Sequence, residues 1–280
     1  MKVKVALIWG AGQLRSLANP QLEAEVLLRH VLRWDRMRLY TNLEAMVSQT
    51  TLRRYQRMVQ QRQEHIPSAY ITGTKEFCGF NFIVGPDVLI PRPETESLVY
   101  RAVELTKQQH YRKVYDVGTG CGNIAISIAK FIPNIRVVAS DISEPSLKIA
   151  IKNAERHRVA SRVKFVQSDL TDHIQSANLV IANLPYVPNF YPVSPGVKHE
   201  PRPAIFDSAN DGLGLYRQLF KNPLFGRFSG RALIELRPEQ FATMKTWLRR
   251  KYAGIKLAPI KNIDRQTWGL EADFSSVLVG

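Results

Sequence analysis

The chain has 280 residues, of which 45% are hydrophobic and 22% charged, a composition typical of a globular protein that buries a sizeable core. This length exceeds the usual size of one domain, so we expect one substantial domain and a smaller appended one. Two cysteines exclude a disulfide framework and a thiolate metal cluster. The apolar run at residues 5–9 is too short for a membrane span and lacks a signal-peptide cleavage site, so we expect a cytoplasmic protein.

The net charge of +15 calls for an explanation, because a field of this sign attracts RNA or an acidic protein partner. Residues 1–75 contribute 12 Lys/Arg against 5 Asp/Glu, which is +7 of the total. A generally basic proteome explains the charge equally well, so incidental contact with RNA stays open.

The first helical signal begins at Asn19-Pro20, where an apolar stripe at helical spacing runs to Trp34 with Asn19 as N-cap. A weaker stripe with arginines on its polar side predicts a second helix over residues 51–64. We therefore predict a small helical domain over residues 1–75.

One early segment imitates a nucleotide-binding turn. Gly10-Ala11-Gly12 follows the apolar run, but Arg15 stands where a third glycine would be needed, and no strand that ends in an acid follows. We reject a binding role for it.

The pattern changes to a period of two between residues 70 and 90, through Phe80, Phe82 and Val84, which predicts a β-hairpin. From Lys113 onward, short β-rich runs alternate with helical stretches, which indicates an α/β domain whose mostly parallel sheet is covered on both faces. Helices fit between the first five of the seven strand candidates, which are residues 113–117, 136–140, 162–167, 178–182, 231–235, 255–260 and 270–278.

A glycine-rich turn follows the first of these strands and opens a helix over residues 123–131. Glycines let the backbone approach a ligand closely, and the helix start offers free N–H groups. A tight turn without a ligand is the alternative. The candidate binding residues of this turn are Asp116, Gly118, Thr119, Gly120, Cys121 and Gly122.

Acidic residues end the next two strands. Asp141 stands at the distance from the glycine-rich turn where nucleotide-binding folds place the acid that binds ribose hydroxyls. Asp169, followed by Leu170, ends the third strand and could accept a hydrogen bond from an adenine amino group. Because ligands bind at the carboxyl ends of such strands, we predict one binding site here.

The segment Asn183-Leu184-Pro185-Tyr186 ends the fourth strand. The Asn183 carboxamide and the Leu184 carbonyl can accept the two N–H groups of a planar amide or amine, Pro185 fixes the backbone, and Tyr186 offers a flat face. Holding both hydrogens would aim the nitrogen at a methyl donor. We therefore predict that Asn183, Pro185 and Tyr186 are catalytic and that residues 183–186 bind the substrate.

Together these residues resemble the HemK/PrmC family of release-factor glutamine methyltransferases over nearly the whole chain. The most specific stretch is residues 89–96, Leu-Ile-Pro-Arg-Pro-Glu-Thr-Glu, which is similar to that family's interdomain signature. Residues 62–79 and 200–217 match as well. The sequence departs from the family pattern in two places. Leu184 stands where the family has proline. After the fifth strand, the family's Glu-Ile-Gly appears as Glu235-Leu236-Arg237.

The resemblance implies a Rossmann-like class I methyltransferase domain over residues 93–280 with a seven-stranded, mostly parallel sheet. It implies a hairpin linker over residues 76–92 and a helical domain over residues 1–75 that docks the release factor. S-adenosyl-L-methionine would be the methyl donor and S-adenosyl-L-homocysteine the product, with no metal. The acceptor would be the side-chain amide nitrogen of glutamine in the factor's Gly-Gly-Gln motif, and Asn183 would also contact the cofactor. We expect a monomer without a membrane partner.

Two other functions remain as alternatives. Asn-Leu-Pro-Tyr also resembles the motif of ribosomal RNA adenine dimethylases, so an adenine-N6 methyltransferase acting on RNA or DNA is the first. A non-catalytic binding module with the same fold is the second. The six histidines show no metal-ligand spacing, and Arg92 and Glu94 either clamp the cofactor edge or brace the interdomain hinge, of which we favour bracing.

Overall fold

The structure is a computed structural model that describes residues 1–170, 174, 176–262 and 264–277. The chain divides into two units. The first contains residues 1–74 and 193–199, and the second contains residues 75–192 and 200–280. No helix in the described part of the chain is both long enough and apolar enough to cross a lipid bilayer.

The first unit is helical. Within residues 1–74, all of which are described, five helices form: α1 Val3–Gln13, α2 Pro20–Leu32, α3 Arg36–Thr41, α4 Gln49–Gln63 and α5 Ser68–Thr72. Helices α2 and α4 match the two predicted helices. The apolar sides of α1, α2 and α4 bury a common core that includes Leu27, Leu28 and Tyr55.

Helix α1 explains the segment that imitates a nucleotide-binding turn. Gly10 lies inside α1, and a Cβ atom there would stand 1.9 Å from the Tyr55 hydroxyl oxygen. The glycine therefore allows α1 to pack closely against the Tyr55 side chain. Its pairing with Gly12 has no role in a turn, which agrees with the rejection of a ligand site.

A two-stranded sheet follows, formed by β1 Thr74–Phe77 and β2 Phe80–Ile83. Cys78 and Gly79 join the strands, both with positive φ, as two-residue hairpin turns require. The predicted hairpin is therefore present, and it is shorter than the alternating pattern that predicted it.

The second unit continues with alternating helices and strands, and short 3-10 turns lie between some of them. Its further elements are α6 Glu96–Gln109, β3 Lys113–Val117, α7 Asn123–Phe131, β4 Arg136–Asp141, α8 Glu144–Arg156, β5 Val163–Gln167, β6 Leu179–Ala182, β7 Val187–Pro188, β8 Phe206–Asp207, α9 Gly214–Lys221, α10 Leu224–Arg227, β9 Arg231–Glu235, α11 Phe241–Lys251, β10 Lys256–Lys261 and β11 Thr267–Asp273.

Among the described residues, seven of these strands form one sheet in the order β10-β11-β9-β6-β3-β4-β5. Strands β9, β6, β3, β4 and β5 are parallel, and β11 runs antiparallel to both β9 and β10. The predicted α/β fold class with a seven-stranded, mostly parallel sheet is confirmed. The chain moves outward from β3 through β4 to β5 and then returns to β6 on the other side of β3, so strand order reverses between β3 and β6.

Two predictions of elements differ from the structure. The last strand starts at Thr267, three residues before the predicted start, because Thr267 already pairs with Lys261 of β10. It ends at Asp273, and Leu278 lies outside the described residues. The helix predicted between β5 and β6 falls partly on residues 171–173 and 175, which also lie outside the described residues.

Candidate active site

A cavity of about 370 Å³ opens at the carboxyl ends of β3, β4, β5 and β6. This is the point where strand order reverses, and open α/β sheets bind ligands in the crevice at that point. Of the predicted site residues, those that line this cavity are Gly118, Thr119, Gly120, Cys121, Asp141, Asp169, Leu170, Asn183, Leu184 and Pro185. Asp116, Gly122 and Tyr186 do not line it.

The glycine-rich turn is held in place by β4. The backbone N–H groups of Gly118 and Thr119 both donate to the Ser140 carbonyl oxygen at 2.9 Å. The Gly120 N–H donates to Asp141 Oδ2 at 2.8 Å. The backbone of the turn is thus fixed before any ligand enters.

Asp141 lines the cavity and also holds the backbone on both sides of it by hydrogen bonds. Its Oδ1 accepts from the Ser143 N–H at 2.9 Å, while its Oδ2 accepts from Gly120. Burial raises the pKa of this carboxyl, and hydrogen bonds from the Ser143 and Gly120 backbone oppose the rise. Each carboxylate oxygen has two lone pairs, so both can still accept a hydrogen bond from a ligand hydroxyl.

Asp116 lies beneath the turn rather than in the cavity. Its side chain is fully buried, and Oδ2 accepts from the Thr119 hydroxyl at 2.6 Å and from the Ala125 N–H at 3.2 Å. Burial raises its pKa to about 7. These contacts join the turn to the start of α7, so the geometry supports a role in shaping the turn.

Cys121 contributes to the cavity wall with a thiol that is only 1% exposed. Burial raises the pKa of this thiol to about 12, so the thiolate is disfavoured at neutral pH. Its backbone carbonyl accepts from Asn153 Nδ2 at 2.9 Å, and the same carboxamide binds the backbone of Ile83 in the hairpin. Asn153 therefore links the turn to the hairpin.

Asp169 is exposed at the rim of the cavity, and the following Leu170 adopts a positive φ of 45°. The Ser140 hydroxyl donates to the Leu170 carbonyl at 3.4 Å, which fixes the bend beside Asp169. The carboxylate of Asp169 thus lines this side of the cavity, where a ligand can meet it.

Asn183 begins the segment 183–186, which we call the NLPY loop. Its Nδ2 donates to the Thr95 hydroxyl oxygen at 3.0 Å, although the two residues are 88 positions apart. Thr95 is buried and also lines the cavity. With its amino group engaged, Asn183 has its carbonyl oxygen Oδ1 available for a substrate.

The remaining residues of the NLPY loop are held by hydrogen bonds to Tyr216, Glu235 and Gln240. The Leu184 N–H donates to the Tyr216 hydroxyl oxygen at 3.1 Å, and the Leu184 carbonyl lies 3.5 Å from the same hydroxyl. The Tyr186 hydroxyl donates to Glu235 Oε1 at 2.9 Å, and Gln240 Nε2 donates to the Tyr186 carbonyl at 2.8 Å. The backbone of the loop therefore has little freedom to move.

No role was predicted for Thr95, Tyr216 or Gln240, and Glu235 marked only the start of a departure from the family pattern. Thr95 belongs to the signature over residues 89–96 and Tyr216 to the matching stretch over residues 200–217, which are the signals that could have identified them. Nothing local marks Gln240, because it acts across a long sequence separation.

Arg92 braces the cavity wall. Its Nη2 lies 2.5 Å from Glu200 Oε1, and Glu200 Oε2 accepts from the Ile90 N–H at 2.9 Å. Glu200 is buried, so this pair holds the segment that leads into the 3-10 turn Pro93–Thr95. The contact engages the Arg92 guanidinium within the cavity wall, and the predicted bracing of the interdomain hinge stays a prediction.

Arg237, the second departure from the family pattern, stacks on an aromatic ring. Its guanidinium carbon stands 4.0 Å from the centre of the Tyr191 ring, and its Nη2 donates to the Tyr191 hydroxyl at 2.6 Å. Arginine therefore ties the end of β9 to the segment that follows the NLPY loop. In the described part of the chain, no group of three or more His, Cys, Asp or Glu side chains is placed to hold a metal ion.

Comparison with known proteins adds to this geometry. Residues 5–73 match a family model described as the PrmC N-terminal domain, and residues 99–191 match one described as the methyltransferase small domain. A curated Bacillus subtilis protein named release factor glutamine methyltransferase is 31% identical over 271 residues, 92% of this chain and 93% of that protein. The Geobacter sulfurreducens protein of the same name is 37% identical over 222 residues, 77% of this chain and 76% of that protein.

Solved structures agree on the fold. The N-terminal domain of human METTL16 in complex with SAH has a TM-score of 0.51 and 13% identity, covering 95% of this chain and 94% of that one. At this identity the likeness shows the class I methyltransferase fold alone. The two curated relatives span most of both chains at more than 30% identity, which confirms the resemblance seen in the sequence. The chain therefore belongs to the release factor glutamine methyltransferase family.

Proposed function

We propose that this methyltransferase transfers a methyl group from S-adenosylmethionine to the side-chain amide nitrogen of the glutamine in the Gly-Gly-Gln motif of peptide chain release factors. The observation that carries the proposal is the Asn183 carboxamide, which lines the cavity with its amino group engaged by Thr95 and its oxygen available. The names of the curated relatives support the same acceptor.

The cavity suits the proposed donor. Asp141 and Asp169 offer carboxylate oxygens to ribose hydroxyls and to an adenine amino group, and the glycine-rich turn leaves room for a ligand against the backbone. When bound, S-adenosylmethionine would supply a methyl group activated by a sulfonium. The residues that would hold it are Gly118, Thr119, Gly120, Cys121, Asp141, Asp169, Leu170 and Asn183, with Asp116 and Gly122 shaping the turn.

The acceptor glutamine would be positioned by the NLPY loop. Asn183 Oδ1 accepts one N–H of the planar amide, Pro185 keeps the backbone rigid, and the Tyr186 ring packs against the amide face. S-adenosylmethionine, when bound, would supply the methyl group to the amide nitrogen that the NLPY loop holds, and one N–H proton of the amide would pass to water. Positioning supplies most of the rate, because a carboxamide takes no proton near neutral pH.

The Leu184 carbonyl is the proposed acceptor of the second N–H. It lies at the limit of hydrogen-bond distance from the Tyr216 hydroxyl, which also accepts from the Leu184 N–H. A carbonyl oxygen has two lone pairs, so a weak contact with Tyr216 still leaves one for the substrate.

We further propose that residues 1–75 form a docking domain for the release factor, that residues 76–92 link it to the methyltransferase domain over residues 93–280, and that the enzyme is a cytoplasmic monomer. Excess positive charge in residues 1–75 supports docking of an acidic surface. Ile8 and Met37, which are 64% and 78% exposed, add apolar contact area.

The adenine-N6 alternative rests on the Asn-Leu-Pro-Tyr sequence and the positive charge. The curated relatives carry the name of the glutamine enzyme, so this alternative is not favoured.

The proposed function is tested by incubating the enzyme with S-adenosylmethionine and a purified release factor, then mapping modified peptides by mass spectrometry. One methyl group on the glutamine of the Gly-Gly-Gln motif is expected, and methylation at any other residue would contradict the proposal.

A further inference from the structure

The orientation of the Asn183 carboxamide depends on what Thr95 does with its single proton. A hydroxyl can either donate to a carboxamide oxygen or accept from a carboxamide N–H. In the structure Thr95 Oγ1 accepts from Asn183 Nδ2 at 3.0 Å. That arrangement persists only if the Thr95 proton is directed to another acceptor.

The candidate for that acceptor is the carboxyl of Glu235. It ends β9 beside the NLPY loop, since its neighbour Ile234 pairs with Ala182 of β6, and its side chain is fully buried. Its Oε1 accepts from the Tyr186 hydroxyl at 2.9 Å. Its Oε2 is buried and has no hydrogen-bond partner among the described residues. The Thr95 hydroxyl nevertheless opposes the rise in the pKa of this carboxyl, as a nearby hydrogen-bond donor does.

A buried carboxylate oxygen without a donor costs free energy, and a carboxylate can only accept. The Thr95 hydroxyl can supply that donor if its proton is directed to Glu235. The lone pairs of Thr95 then face Asn183, which must present its amino group to Thr95 and its oxygen to the cavity.

We propose that Glu235 is a positioning residue for methyl transfer, which fixes the Asn183 carboxamide through Thr95 and holds Tyr186 by direct contact. The inference rests on the proposed function, in which Asn183 Oδ1 accepts an N–H of the acceptor glutamine. Were the carboxamide turned over, an N–H of Asn183 would face an N–H of the substrate, and the nitrogen would lose its alignment.

The first test uses three variants in single-turnover transfer to the release factor. Thr95→Val, which keeps the shape but lacks the hydroxyl, should lower the rate about tenfold to a hundredfold, the cost of misaligning a reacting group. Thr95→Ser keeps the hydroxyl and should restore most of the rate. Glu235→Gln should also lower the rate, because Tyr186 meets Oε1 while Oε2 is the oxygen left for Thr95, and a carboxamide has an oxygen at only one of these two positions. The affinity for S-adenosylhomocysteine should change by no more than about threefold in all three variants. That change in binding free energy is smaller than the 1.4 kcal/mol that corresponds to a tenfold change in affinity.

A double-variant cycle separates positioning from a structural role. In the Asn183→Ala background, Thr95→Val should cause no further loss of rate, because its effect passes through the missing carboxamide. An equal loss with and without Asn183 would overturn the inference, as would a normal rate in Thr95→Val.

A measurement without substrate distinguishes failure of this inference from failure of the proposed function. In the wild-type protein, NMR should show the Asn183 side-chain N–H protected from hydrogen exchange by its bond to Thr95. Thr95→Val and Glu235→Gln should both lose that protection. Unchanged exchange in Glu235→Gln would overturn the inference even if the wild-type enzyme methylates the factor, whereas absence of methylation by the wild type would overturn the proposed function alone.

Discussion

Gly118 and Leu184 bring the two halves of the site into contact: a Cβ atom on Gly118 would lie 2.9 Å from Leu184 Cδ2. Leu184 is almost completely buried, so its side chain forms the floor between the glycine-rich turn and the NLPY loop. The departure from the family's proline is thus accommodated by a glycine that faces it.

Replacing Gly118 by alanine should therefore impair both donor binding and stability. Its φ of 74° costs a residue with a Cβ atom about 1–2 kcal/mol, and the contact with Leu184 adds to that cost. Calorimetric titration with S-adenosylhomocysteine and thermal unfolding measure the two effects. Gly226→Ala is the matched control, because a Cβ atom there meets nothing within 4 Å. Equal behaviour of the two variants would show that this contact is unimportant.

Asp141→Ala should weaken binding of the donor. A carboxylate that accepts from ribose hydroxyls contributes roughly 1.5–3 kcal/mol, and the variant also releases the Gly120 and Ser143 N–H groups. We expect a loss of affinity of about tenfold to a hundredfold. Asp141→Asn, which keeps one carbonyl acceptor, should lose less. Titration with S-adenosylhomocysteine showing unchanged affinity in the alanine variant would remove Asp141 from the donor site.

Asn183→Ala should lower the transfer rate strongly while donor affinity changes only a few-fold. Loss of one hydrogen-bond acceptor from a buried polar site costs about 1–3 kcal/mol, and misalignment of the nitrogen lowers the rate by about a further hundredfold. Asn183→Asp keeps the shape and the acceptor capacity and should retain some activity. Single-turnover rates decide the matter. Near-normal rates in both variants would mean that the substrate amide is held elsewhere.

These residues show why only part of the site could be predicted. Periodicity and glycine spacing identified the strands and the turn at Gly118, because those signals lie within a few residues of each other, and the regular spacing from that turn identified Asp141. Glu235 could not be assigned from local pattern, since it reaches Tyr186 only after the sheet places β9 beside β6. Thr95 lies in the signature over residues 89–96, but that pattern does not show its contact with Asn183, 88 positions away. Asp116 illustrates the converse: its position in the motif suggested a ligand contact, whereas its carboxylate is buried beneath the turn.

Helix α1 marks another limit of local reasoning. Two glycines within an apolar run lower helix propensity and weaken the periodic pattern. Tertiary packing overrides that preference, because the missing side chain at Gly10 lets α1 approach Tyr55 closely. The packing partner lies 45 positions further along the chain, beyond the reach of a local pattern.

Acidification should slow methyl transfer, because it protonates Glu235. Burial raises the pKa of its carboxyl to about 7, with Thr95, Tyr186 and Arg92 opposing the rise and Glu94 adding to it. The buried Tyr216 also faces this charge. Below pH 7 the protonated carboxyl can donate to Thr95, which frees the Asn183 carboxamide to turn. Single-turnover rates of the wild type should therefore fall on acidification with the slope of one proton, whereas those of Glu235→Gln should stay flat.

Protonation of Glu235 should affect the stability of the fold in the opposite direction: acidification should raise stability although it lowers the transfer rate. The folded state binds it more tightly than the unfolded state, in which the pKa is near 4.5. The resulting stabilisation is fully present below pH 4.5 and is lost as the pH rises through about 7. The free energy of unfolding of Glu235→Gln should therefore gain on that of the wild type over this range in denaturant titrations. A constant difference between the two proteins would show that Glu235 does not retain its proton on folding.

The identity of the methyl acceptor is tested most directly by label transfer from S-adenosylmethionine in parallel single-turnover reactions. The acceptors are a release factor, the same factor with its Gly-Gly-Gln glutamine replaced by glutamate, and protein-free ribosomal RNA. Rapid labelling of the unmodified factor is expected, with no labelling of the other two acceptors. Labelling of the RNA, or equal labelling of both forms of the factor, would contradict the proposed acceptor.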